Sequence, residues 1–371
     1  MKSLFGFLFL SFAFAIEVSA QCVSPYYDLT NQFYVYDNGE THFLEPSLPT
    51  SYKVGKNYIA YVNQNASRLR LYYAGKTYTV CENAADYWAT DNWFVYKNYS
   101  VLGVLYHNEL KVLDKMVLSD MWLGDSIISW VSTFNEVKVF YNGETKTIEP
   151  FVLQQKKDET DVAYSNARMS DNIFAYVDQS NVFKVFYHGG VKQLESYEPS
   201  TYLVDRDIVV YLDYANNFKF FSKGKTYETT INGITDYWTG EGFFVYYTLG
   251  GQLAVWYDGE EKILAQDRPK DILIQQNMIA YTDKSNNFYV WYNGRTELLD
   301  RNQPQVVKGY RNIVVYQDSY GRLKGYYYGK QVNISDQIVS TFSMYNETIQ
   351  YSLVRGETTI WCNGKSQTIN Q

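Results

Sequence analysis

The chain has 371 residues, a net charge of −7 and an aromatic content of 18 %, with 38 tyrosines among them. An acidic chain without a basic block gains no affinity from counterion release, so nucleic acid is excluded as a partner. Three histidines and three cysteines, without an HExxH, GxSxG or Walker-type loop, nominate no metal, no cofactor and no catalytic triad.

Residues 1–20 read as a signal peptide. Lys2 gives the positive start, Leu4 to Ile16 an apolar run too short to span a membrane, and Val18-Ser19-Ala20 a small-residue cleavage site. Cys22 follows closely, but Gln21 stands where a lipidated cysteine would be preceded by a small residue, so simple cleavage is expected. No later stretch is long and apolar enough for a membrane-spanning helix. The expected location is secreted, either periplasmic or at the cell surface, where disulfides persist.

From residue 21 to residue 371 one pattern repeats. A tight-turn glycine recurs at Gly39, Gly75, Gly143, Gly189, Gly224, Gly259, Gly294, Gly329 and Gly364, and Asn108 replaces it once. The last five steps are 35 residues each, and ten copies fill the region. Each copy holds four short segments, as in DILIQQN, MIAYTD, NNFYVWYNG and RTELLD over 271–300. Runs of β-branched and aromatic residues bounded by Asn, Asp and Gly predict strand, turn, strand, and the Asn-Gly and Asp-Gly pairs supply hairpin turns. No segment has a helical period. The apolar runs are nearly continuous, which predicts sheets buried on both faces. Tyrosine suits such half-buried pleated positions and also serves as an amphipathic binding residue.

The expected fold class is therefore all-β, a β-propeller of about ten four-strand repeats, with a solenoid as the structural alternative. The first copy is expected to lack its innermost strand, and an insertion of about 11 residues containing KKDETD interrupts the period within 151–165. The second strand of the Ile208–Asp213 type, the third of the Phe218–Phe221 type and the Gly-Lys-Thr-Tyr turn resemble the repeat of TolB-like and WD40-like propellers. The resemblance concerns architecture: the Ser-Pro-Asp-Gly turn and the Trp-Asp dipeptide of those families are absent. In a closed ring the first and last copies are neighbours, so Cys22 and Cys362 are expected to form a closing disulfide. Cys81 is left as a buried, inert thiol.

Departures from the repeat mark the candidate site. Asp86-Tyr87-Trp88, Asp120-Met121-Trp122 and Asp236-Tyr237-Trp238 open three first strands, and Asp271 opens a fourth. Lys53, Arg168 and Lys308 occupy the tryptophan position in other copies. These residues and the insertion are expected on one face, where rings beside carboxylates suit a glycan, a peptide or an organic cation. The same tryptophans could instead fill wedges between sheets, and the aspartates could satisfy backbone amides. Asp178, Asp213, Asp283 and Asp318 follow second strands and are expected to shape turns rather than bind metal. The leading expectation is a non-catalytic binding or scaffold protein with a protein or glycan partner. A carbohydrate-active enzyme using Asp86, Asp120, Asp236 and Asp271 and a structural surface component are the alternatives.

Overall fold

The computed structural model describes residues 22–369 apart from 66, 83–85, 100, 116–119, 158–162, 230–233 and 235. The signal peptide lies outside the described residues, as does the middle of the insertion.

Ten blades of β-sheet follow one another along the chain. Seven have four antiparallel strands in sequence order: residues 51–81, 86–115, 121–149, 167–195, 201–228, 237–265 and 271–300. They form the second to eighth blades. The first blade has three strands, Val23–Tyr27, Phe33–Asp37 and Glu40–Glu45, and lacks the innermost one. The ninth and tenth blades share one long strand, Lys330–Tyr345. Its first part pairs with Arg322–Tyr327 and its second with Thr348–Leu353, so it is the outermost strand of one blade and the innermost of the next.

First strands of neighbouring blades touch, whereas fourth strands are largely exposed, so the blades fan outward from the first strands. Each core lies between blades. Val177, Phe183 and Val185 of the fifth blade, for example, pack with Tyr202, Val209 and Tyr211 of the sixth. Such packing requires second and third strands apolar on both faces, which is why their sequences do not alternate.

The tyrosines serve these seams. Tyr61, Tyr176 and Tyr211 are buried, and each donates its hydroxyl to a glutamate ending the preceding blade: Glu45 at 3.1 Å, Glu149 at 2.8 Å and Glu195 at 3.0 Å. Burying the ring while pairing its polar tip avoids the desolvation penalty of an unpaired hydroxyl. A second tyrosine sits two positions before the hairpin glycine and covers the next blade's turn. A Cβ added to Gly143, Gly189, Gly294 or Gly329 would lie 3.1–3.4 Å from the ring of Tyr106, Tyr141, Tyr257 or Tyr292 respectively. These glycines have φ between 82° and 86°, so both conformation and space favour glycine.

The turns between second and third strands are locked by their aspartates. Asp178, Asp213, Asp283 and Asp318 each accept two backbone amide hydrogen bonds through Oδ1, at 2.8–3.0 Å. Burial pushes the Asp318 carboxyl up, but the amides of Arg322 and Tyr320 and the side chains of Lys324 and Arg322 outweigh it and hold it below its ordinary value.

The ring closes without a shared strand. A disulfide joins Cys22 of the first blade to Cys362 of the tenth. Nearer the axis, where the first blade has no strand, the tenth blade meets the second: Asn346 donates to the Gly55 carbonyl at 2.7 Å, and the Tyr52 and Tyr345 hydroxyls lie 3.2 Å apart. Cys81 is half-buried rather than buried, because it ends a fourth strand. Partial burial and then Glu82 push its thiol pKa up, away from reactivity.

Candidate functional site

The blades present two faces. One carries the starts of the first strands, the second-to-third turns and the connections between blades. The other carries the first-to-second turns and the Asn-Gly hairpins.

On the first face, the residue opening the first strand ties down the connection that follows its own blade in four blades. Asn166 donates to Glu198 at 2.9 Å, Arg268 to Asp236 at 3.0 Å and Gln303 to Asp271 at 2.7 Å, each pair 32 residues apart. Asp120 accepts from Ser165 at 2.6 Å, within the inserted segment. Asp86 is exposed at its strand start. The insertion itself forms a hairpin, Gln155–Lys157 with Ala163–Ser165, and Lys156 makes an ion pair with Glu198.

The third position of the first strand leans on the next blade. Trp122 lies 5.2 Å from Phe174, Trp88 packs on the cluster containing Ile128 and Trp130, and Trp238 joins the core shared with Ile279 and Trp291. All three rings are half-buried. The cations do likewise. Lys53 donates to the Tyr87 carbonyl at 2.8 Å and lies over the Tyr87 ring, and Lys308 donates to the Phe342 carbonyl at 2.6 Å and lies over the Phe342 ring. Arg168 stacks over Tyr202 at 5.3 Å. One position therefore hosts either a ring in the seam or a cation over the next blade's aromatic residue.

The same face carries a feature outside the Asp and Trp motifs of the first strands. Leu29, Tyr99, Phe134, Tyr214, Leu249, Tyr320 and Val354 stand at the tips of second-to-third turns, and each is between 69 and 93 % exposed. Tyr197 and Phe151, on connections between blades, are exposed beside them, with Tyr197 6.2 Å from Tyr214. The signal was present in the aligned copies, as apolar residues in turns otherwise built of Asp, Asn and Ser.

The opposite end of the axis is closed by charge. Neighbouring first-to-second turns are stitched together: Asp91 N–H donates to the Asp125 carboxylate at 3.0 Å, Ser126 N–H to the Asp171 carbonyl at 2.9 Å and Asn172 N–H to the Arg206 carbonyl at 3.0 Å. Across the axis, Arg311 of the ninth blade pairs with Asp91 of the third and Asp125 of the fourth, and Tyr310 donates to Asp91. Arg206 pairs with Asp171 at 2.6 Å. Burial, then the Asp125 charge, pushes the Asp171 carboxyl up to about 6 against the pull of Arg206. Burial pushes Asp205 up to about 6 as well, again opposed by Arg206. Among the described residues no group of three His, Cys, Asp or Glu side chains has the geometry to hold a metal.

No curated protein matches the sequence. Among solved structures the chain is similar to the computationally designed Ika8 protein, with 17 % identity over 74 % of this chain and 95 % of that one at a TM-score of 0.33. It is also similar to BamB from Moraxella catarrhalis, with 10 % identity over 75 % and 96 % of the two chains at a TM-score of 0.31. The tricorn protease matches at 10 % identity over 93 % of this chain and 46 % of that chain, with a TM-score of 0.32. A family model described as a 10-bladed beta propeller domain matches residues 17–367, in agreement with the ten blades and the sequence repeat. The chain belongs to the family of ten-bladed β-propeller domains.

Proposed function

We propose that this propeller is a secreted, non-catalytic binding or scaffold protein that receives a protein partner on the face bearing the second-to-third turns. The seven apolar turn tips carry this reading. A row of Tyr, Phe, Leu and Val side chains in water is unfavourable for a soluble surface, and it matches the composition of protein interfaces. Their turns are pre-ordered by hydrogen bonds, so binding would order little additional backbone. Asp86, Asp236 and Asp271 add an acidic edge to that face. Trp88, Trp122 and Trp238, with Lys53, Arg168 and Lys308, support it from the seams. The Cys22–Cys362 disulfide is compatible with an oxidising compartment.

The test replaces Tyr99, Tyr214 and Tyr320 together by serine. Crosslinking in the native secreted fraction should give a discrete adduct with the wild-type protein and lose it with the variant, while the circular dichroism and Tm stay unchanged. An adduct that survives the triple change would overturn the assignment of this face.

A further inference from the structure

The seam between the sixth and seventh blades is packed at its centre but open at its rim, on the side of the hairpin turns. Seven copies of the repeat carry the covering tyrosine two positions before the turn glycine or its Asn108 equivalent; the other three carry Asp37, Ser222 and Cys362. Two of these exceptions are closed by other means. Asp37 accepts a hydrogen bond from Tyr72 at 2.8 Å, and Cys362 is in the disulfide. Ser222 carries no ring and, among the described residues, makes no side-chain hydrogen bond across to the seventh blade; nothing lies within 4 Å of where a Cβ on Gly259 would stand, as is also the case at Gly75 and Gly364. The first-to-second turns of these two blades also face each other with like charges, Asp207 and Glu241. Among the described residues no hydrogen bond stitches these two turns together.

The result is a groove of about 930 Å³. Its wall is aromatic: Phe220 lies 4.4 Å from Trp256 and stacks on Tyr227 at 4.8 Å. Trp256 is half-buried here, whereas Trp291 and Trp361 at the same repeat position are buried. Five carboxylates line the groove, from Asp207, Glu228, Glu241, Asp258 and Glu261, against one ammonium, Lys223. The Oδ1 atom of Asp207 is buried without a hydrogen-bond partner. An excess of carboxylates rejects anions, and exposed aromatic faces attract planar cations.

We infer that this groove is a binding site for a basic protein segment, which inserts an arginine side chain against Trp256 and Tyr227 between the carboxylates. The groove opens on the face opposite the apolar turn tips, so it stands or falls independently of the reading above.

Calorimetry of the full chain with a hexa-arginine peptide tests it. Binding at one site per chain is expected. Ser222→Tyr, which restores the covering ring, should weaken that binding at least about tenfold with no loss of Tm. Glu228→Gln with Asp258→Asn should weaken it several-fold while the fold stays intact, since Asn-Gly is the turn of other copies. This second pair decides the matter if Ser222→Tyr lowers Tm. Absence of binding would overturn the proposal. So would equal binding by all variants, which would mean attraction to the acidic surface as a whole. Binding of cellohexaose in the groove, lost in Ser222→Tyr while hexa-arginine binding persists, would overturn it in favour of a glycan.

Discussion

Arg311 donates to the Asp125 carboxylate at 2.8 Å across 186 residues of chain, from the ninth blade to the fourth. The same guanidinium pairs with Asp91 of the third blade. All three side chains are mostly buried. Replacing Arg311 by methionine would take the paired guanidinium from two mostly buried carboxylates, which keep only their hydrogen bonds and more distant cations. The expected loss is about 3–5 kcal/mol in urea denaturation, because removing one partner of a buried pair strands the other charge. Unchanged stability would show that this end of the axis is hydrated.

The buried carboxylates also set a pH dependence. Asp205, like Asp171, is raised to about 6 from 3.8, chiefly by burial. A carboxyl raised in the folded state contributes stability that is full below its unfolded value and is lost as pH rises through 6. Asp178, Asp213, Asp283 and Asp318 are lowered, so their contribution is present above about 4 and disappears as pH falls below it. Stability should therefore decline on both sides of mildly acidic pH. Asp205→Asn should stabilise by roughly 1–2 kcal/mol at pH 7 and flatten the profile between pH 4 and 6. Thermal melts across that range measure both.

The Cys22–Cys362 bond closes a sequence separation of 340 residues. Replacing both cysteines by serine is expected to destabilise by about 2–4 kcal/mol. Hydrogen exchange should rise first in the strands flanking the junction of the tenth and first blades. Uniform acceleration throughout the ring would argue against a local opening.

Tyr292→Ser recreates at the eighth seam what Ser222 does at the sixth. The ring fills space beside Gly329, so its removal leaves a cavity. An expected loss of about 2–4 kcal/mol follows from large-to-small changes in packed sites. Chemical denaturation of this variant checks whether the covering tyrosines stabilise the ring.

The repeat, the hairpins and the missing first strand were legible because they rest on local chemistry: Asn-Gly turns, apolar runs and a fixed spacing. The disulfide was legible because a ring makes its ends neighbours. The direction of the Trp122 and Lys308 side chains was not, since a seam and a channel differ only in how neighbouring blades pack. The Arg311–Asp125 pair was invisible for a stronger reason: it depends on which turns face each other across the axis. The apolar turn tips were visible as residues but not as a group, because each lies alone in a polar turn.

The closure described above has a consequence for how such a ring changes in number. Every blade but the first has four strands in chain order, the ninth and tenth running into each other through Lys330–Tyr345, and no strand is lent from one terminus to the other. Backbone pairing therefore does not count the blades. A duplication or deletion of one repeat would leave each sheet intact and alter only wedge angles and the meeting of Asn346 with Gly55. Copy number in this architecture is set by the shapes of side chains at the seams, the property in which Ser222 differs from its seven tyrosine counterparts.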